Sequence, residues 1–144
     1  MKKYKDINEL ITFLEIEKND IKERIKALKT AHITNALSLT PEEAQQFWPL
    51  YNANEKKLEG IRKTERQERL KVMNGGFENL SDSDAMAMLD KFMDLKQQEL
   101  DLHRAFQKQL KGVLPPLKII KLFRAEEAFK QKLLEQFKER RRRN

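Results

Sequence analysis

The sequence predicts an all-α fold of about four long helices arranged in antiparallel hairpins. Two observations carry that expectation. Turn formers are scarce, with 4 Gly and 4 Pro in 144 residues, and apolar residues recur at spacings of three, four and seven. A third observation divides the chain: a capping pattern, in which a hydroxyl residue is followed three positions later by an acid, occurs at Thr40 and Glu43 and again at Ser81 and Asp84.

The first helix is predicted from about Asp6 to Ala36. Ile7, Leu10, Ile11 and Leu14 start an apolar stripe that resumes at Ile21, Ile25, Leu28 and His32, and "LSLT" at 37–40 is the turn after it. The second helix opens at Pro41, with Thr40 as N-cap and Glu43 completing a reciprocal capping box. Ala44, Phe47, Trp48, Tyr51, Leu58 and Ile61 face one way along it. Pro49 lies past the first turn, where proline removes a backbone hydrogen bond and costs roughly 3 kcal/mol. With Phe47, Trp48 and Tyr51 around it, Pro49 predicts a kink held by aromatic packing. The tract from Lys63 to Lys71 is almost entirely charged and is expected to be solvated. "NGG" at 74–76 reads as a loop.

Ser81 opens a third helix that extends to about Lys111, with a stripe of Ala85, Met88, Phe92, Leu95, Glu99, Leu102, Phe106 and Leu110. Gly112 is expected to close it as a C-terminal glycine. "LPP" at 114–116 starts the fourth helix, whose expected buried face is Ile119, Leu122, Glu126, Phe129, Leu133 and Phe137. Four helices of about thirty residues would each span ~45 Å. They could form a compact bundle, or two long hairpins whose thin core leaves a face for a second subunit. The charged tract at 63–71 favours the hairpins. The chain reads as a single helical domain, 1–144, with 1–20 as a candidate N-terminal extension and 138–144 as a basic tail.

The net charge is +7, and 37% of residues are charged. A basic surface suits anionic partners such as nucleic acid, lipid headgroups or acidic unfolded chains, and an ordinary soluble surface reads the same way. Arg140–Arg143 read as a solvated helix end; no aromatic platform accompanies them, so nucleic acid is not the expected partner. The chain has no cysteine, which excludes disulfides, thiolate metal sites and cysteine nucleophiles. The first twenty residues begin with lysines, but acids interrupt every apolar run, so no export signal is read there. No stretch approaches the ~20 apolar residues of a membrane span.

No catalytic constellation stands out. His32 and His103 lie on different predicted helices, and there is no glycine-rich phosphate loop and no zinc-protease motif. An enzyme is therefore not expected, and no cofactor or metal is assigned. A soft-metal site from a histidine with Met86, Met88 or Met93 is the weaker reading of those residues. Met86, Met88 and Met93 read as core filling or as a flexible apolar surface for varied partners. Arg124 lies beside an apolar stripe and is expected to pair with a carboxylate, Glu99 or Glu127.

At "LTPEEAQQFWPLY", 39–51, the chain resembles the LTxxQ-motif periplasmic stress proteins, the Spy/CpxP-like chaperones and related heavy-metal-resistance and sigma-factor-sensor proteins. Leu39, Thr40, Pro41, Glu42 and Glu43 stand at the motif, with Glu43 where the family has Gln. A second region, 114–136, is similar, with Leu114, Pro115 and Pro116 at its start and Arg124 and Glu127 in its later, family-like part. There Pro115 replaces Thr and Lys118 replaces Gln. The similarity covers roughly Ile21 to Phe137. The resemblance implies elongated helical hairpins that form a dimeric cradle, and a periplasmic, ATP-independent chaperone that binds unfolding proteins. The alternative reading it implies is a periplasmic sensor or regulator of an extracytoplasmic stress or sigma-factor pathway, linked to a membrane signalling partner or to metal.

Overall fold

The computed structural model describes residues 7–75 and 77–143. Of these, 93% are helical and none is in a strand. Four helices follow in order, α1 (Ile7–Leu37), α2 (Pro41–Gly75), α3 (Asp82–Leu110) and α4 (Pro116–Arg143), with a 3₁₀ turn, Phe77–Asn79, between α2 and α3. The expected helix start at Asp6, the last residue of the "NGG" segment and Asn144 of the basic tail lie outside the described residues. Two compact units result, one made of α1 with α4 from Ile120 onward, the other running from Thr40 to Ile119.

The second unit is an α2–α3 hairpin. Its α2 start is the expected capping box: the Glu43 N–H donates to Thr40 Oγ1 at 3.1 Å, and the Thr40 N–H donates to Glu43 Oε1 at 3.0 Å. Ser81 caps α3 in the same way, accepting from the Asp84 N–H at 3.1 Å. Phe47, Tyr51 and Leu58 on α2 are buried, as are Leu95, Phe106 and Leu110 on α3. Each contributes roughly 1.5–3 kcal/mol by leaving water. The Tyr51 and Phe106 rings meet at 6.1 Å, and further along Lys91 reaches Glu68 at 2.8 Å. As the residue number rises on one helix it falls on the other, so the pair is antiparallel.

Three local expectations need correction here. Asn74 and Gly75 continue α2 instead of forming a loop, because the reversal is made by the 3₁₀ turn that follows. Gly112 does not take the left-handed conformation of a C-terminal glycine: no positive φ occurs there, and an added Cβ would meet the Gln109 carbonyl at an ordinary 3.6 Å. Successive turns, with Val113 and Leu114 N–H groups both donating to the Leu110 carbonyl, end α3 instead. The charged tract is not simply solvated either. Glu68 is buried, since it lies on the α2 face that carries Leu58, and two lysines neutralise it.

In the first unit Ile33 and Leu37 of α1 are buried, as are Leu122, Ala125 and Phe129 of α4. His32 ties the two helices: its Nε2 lies 3.1 Å from the Ala125 carbonyl and its ring 5.6 Å from that of Phe129. This is a satisfied boundary histidine. Helix α1 ends at Ser38, whose φ of 48° is left-handed, the conformation that commonly closes a helix and that L side chains resist. The rest of the expected α1 stripe is not buried. Ile7, Ile11, Leu14, Ile21 and Leu28 are all exposed, and so is Phe137 at the far end of the α4 stripe. Periodicity identified an apolar face, but this unit supplies only one neighbour to cover it.

Candidate functional site

The sequence singled out two regions, the motif segments and the methionines. The structure brings most of the first set together. Thr40 and Pro41 lie exposed at the start of α2, Leu39 and Glu43 are half-buried, and Phe47 and Tyr51 are buried. Leu114 is buried ahead of α4, while Pro115 and Pro116 are exposed as N-cap and first helical residue. The Pro115 carbonyl accepts from the N–H groups of Lys118 and Ile119.

From that first turn the Lys118 ammonium donates to Glu43 Oε1 at 2.6 Å. One carboxylate thus serves both segments, accepting the Thr40 N–H and the Lys118 ammonium on the same oxygen. The hydrogen bond from Lys118, then the one from the Thr40 backbone, holds the Glu43 carboxyl below the usual carboxylate range. Lys118 was noted from sequence only as a departure from the family pattern. Its side chain finds an acid in the other segment.

Three aromatic rings flank the proline of α2 in sequence and pack on one another. Trp48 meets Phe47 edge-on at 4.9 Å and Tyr51 edge-on at 5.5 Å. Phe47 is fully buried, whereas Trp48 is half-buried and Pro49 exposed. Helix α2 continues on both sides of Pro49. The Gln45 carbonyl, which loses its helical donor to the proline, belongs to an exposed residue, so the loss falls on the solvent side.

Arg124 and Glu127 belong to the other compact unit. Arg124 is exposed and makes no ion pair among the described residues, contrary to expectation. It stands beside the buried α4 stripe and not on it, so no burial forces a partner. Glu99 turns instead to neighbours on its own helix, Lys96 at 3.9 Å and His103 at 3.7 Å.

The methionines form a second site. Met86 is 59% exposed and Met93 70%, while Met88 is half-buried on the packed face. Core filling therefore describes Met88 alone. Leu89 and Leu100 are also exposed. Positions 86, 93 and 100 recur every seven residues and 89 follows 86 by three, so one side of α3 carries all four. On α2, Leu70 and Met73 are exposed too. They stand off the buried stripe in the same rotational sense, which in an antiparallel pair is the same side of the hairpin. The register set by Glu68 against Lys91 puts Leu70 beside Leu89 and Met73 beside Met86. Sequence reading missed Leu70, Met73, Leu89 and Leu100. The heptad spacing of 86, 93 and 100 was the available signal.

Beneath this end of the hairpin is an ionic ladder. Glu68 accepts from Lys91 and from Lys71 at 3.1 Å, and Glu65 lies 3.2 Å from Lys96. The hydrogen bonds from Lys91 and then Lys71 lower the Glu68 pKa. The reading of His103 with the methionines as a metal site is not supported: ten residues separate Met93 from His103 on one helix, about 15 Å of rise. No group of three or more His, Cys, Asp or Glu side chains among the described residues is placed to hold a metal ion. No described helix is long and apolar enough to cross a membrane. No protein-family model, no curated protein and no solved structure matches the chain.

Proposed function

We propose that this chain is an ATP-independent, chaperone-like stress protein of the bacterial envelope that binds unfolding proteins, working as a homodimer and without catalysis. The observation that supports this reading best is the apolar side of the α2–α3 hairpin, where Leu70, Met73, Met86, Leu89 and Met93 lie open to solvent. Contiguous exposed apolar groups of this kind mark interaction surfaces, and thioethers adapt to partners of varied shape. Lys96, which reaches Glu65 across the hairpin, borders the surface with charge, and a net charge of +7 speeds encounter with acidic chains. The resemblance at 39–51 to the LTxxQ-motif stress proteins points to the same class and to the periplasm.

The test is light scattering of a reduced or heat-unfolding client, with and without the protein, at physiological salt. The reading expects suppression at close to one dimer per client. A folded, dimeric sample that leaves client aggregation unchanged would move the assignment to a regulator that recognises one signalling partner.

A further inference from the structure

Helix α1 leaves unexplained chemistry. Ile7, Ile11, Leu14, Lys18, Ile21, Ile25, Leu28 and His32 alternate at spacings of four and three, an uninterrupted coiled-coil seam. In the structure most of that seam is open: Ile7, Ile11, Leu14, Ile21 and Leu28 are between 48% and 71% exposed, while Ile25 and His32 are half-buried. Over residues 17–28 it forms one wall of a groove of about 720 Å³, with Leu133 and Phe137 of α4 on the other wall and Arg24, Arg140 and Arg143 among its lining residues.

Charge along α1 says what fits there. Residues 7–20 carry Glu9, Glu15, Glu17 and Asp20 against Lys18 alone, whereas residues 21–34 carry Lys22, Arg24, Lys26 and Lys29 against Glu23 alone. One half of the helix is acidic and the other basic, with the same apolar seam through both. A helix built this way is complementary to itself when reversed.

We propose that two copies of this chain pair through α1, antiparallel about a two-fold axis near Asn19 and Asp20, each laying its residues 7–18 along the groove of the other. The seam layers are then matched: Ile11 faces Leu28 of the second copy, Leu14 faces Ile25 and Lys18 faces Ile21, with Ile7 level with His32, whose ring packs on Phe129 of its own α4. Glu15 meets Lys22 of the second copy and Glu17 meets Arg24, and symmetry repeats both pairs. Lys18, the polar residue in the seam, fixes register and orientation, its stem in the apolar layer and its ammonium at the acidic rim. A parallel pairing would instead set acid beside acid and base beside base along the seam. The inference deepens the homodimer reading above by naming its interface, and it rests on that reading.

The absence of cysteine makes a direct test possible with the full chain. Leu14→Cys and Ile25→Cys are made as separate proteins. Mixed and oxidised, they are expected to give disulfide-linked heterodimers, while Leu14→Cys alone stays unlinked. In the proposed register its two copies lie about 16 Å apart, eleven residues of rise, beyond the reach of a disulfide. In sedimentation equilibrium, Glu15→Lys with Glu17→Lys should weaken the dimer about tenfold or more. Adding Lys22→Glu with Arg24→Glu should restore it, and unchanged circular dichroism shows that α1 still folds. A dimer that ignores the charge reversal, or that cross-links position 14 to itself, overturns the α1 interface and leaves the homodimer reading standing. A wild-type monomer at micromolar concentration overturns both.

Discussion

The Lys118 ammonium at the start of α4 lies 2.6 Å from the Glu43 carboxylate at the start of α2. Both side chains are mostly withdrawn from solvent, and the same carboxylate oxygen closes the capping box with Thr40. The two helix starts that the sequence marks as related segments are thus joined by one acid.

That junction is expected to titrate. Glu43 and Glu68 both have pKa values lowered by their lysine partners. A carboxyl depressed in the folded state stabilises it fully above the unfolded carboxylate value of about 4.3 and loses that contribution as pH falls through the folded value. Thermal midpoints should therefore vary little through this mechanism between neutrality and pH 5, and fall in acid below the ordinary carboxylate range. Glu43→Gln keeps an acceptor for the Thr40 N–H but removes the charge that Lys118 needs. Glu43→Gln with Glu68→Gln should lower the midpoint at neutral pH and flatten the acid slope. An acid slope identical to wild type would show that these pairs do not set it.

The cap itself is separable from the ion pair. Thr40→Ala removes the acceptor for the Glu43 N–H and is expected to cost about 1 kcal/mol in denaturant unfolding. No measurable loss would remove the capping box as a determinant of where α2 begins.

The sequence grouped Phe47, Trp48 and Tyr51 without ranking them, and burial ranks them: Phe47 is fully buried, whereas Trp48 is half-buried. Phe47→Ala should cost about 3–5 kcal/mol, and Trp48→Ala distinctly less, since that ring keeps one side in water. Equal losses would contradict the burial pattern.

Pro49 offers a test of whether helix geometry serves function. With Pro49 exposed, alanine there restores the missing donor to Gln45 and should stabilise the chain by up to about 3 kcal/mol. If the helix profile imposed by proline shapes the client surface, the stabilised variant will suppress aggregation less well. Stabilisation with undiminished suppression would mean that the proline is only tolerated.

Ser38 carries a strained φ of 48°, so Ser38→Gly should raise stability by about 1 kcal/mol by removing the Cβ penalty of the left-handed region. A loss instead would show that the Ser38 side chain holds the turn.

The helices themselves were legible in the sequence, because capping residues and three-four spacing act locally. Thr40, Ser81 and Pro116 mark starts that depend on nothing distant. What periodicity could not tell was which apolar stripe finds a neighbour. The α2 and α3 stripes cover one another, whereas Ile7 to Leu28 have the same spacing and stay exposed. Polar members of a buried face were missed for the converse reason. Glu68 and Asn54 are buried on α2, although their chemistry reads as surface. Glu68 is tolerated there because Lys91 arrives from α3, a contact that no local pattern encodes. Lys118 was likewise legible as a residue out of family pattern, but not as the partner of Glu43, seventy-five positions away.

The central claim is that the open side of the α2–α3 hairpin holds unfolding chains. Its most direct test compares aggregation suppression by the wild type and by Met86→Glu with Met93→Glu, two exposed substitutions that leave Leu95, Phe106 and the ionic ladder untouched. The account predicts a folded variant with an unchanged thermal midpoint and most of its suppression lost. Suppression equal to wild type in that folded variant would contradict it.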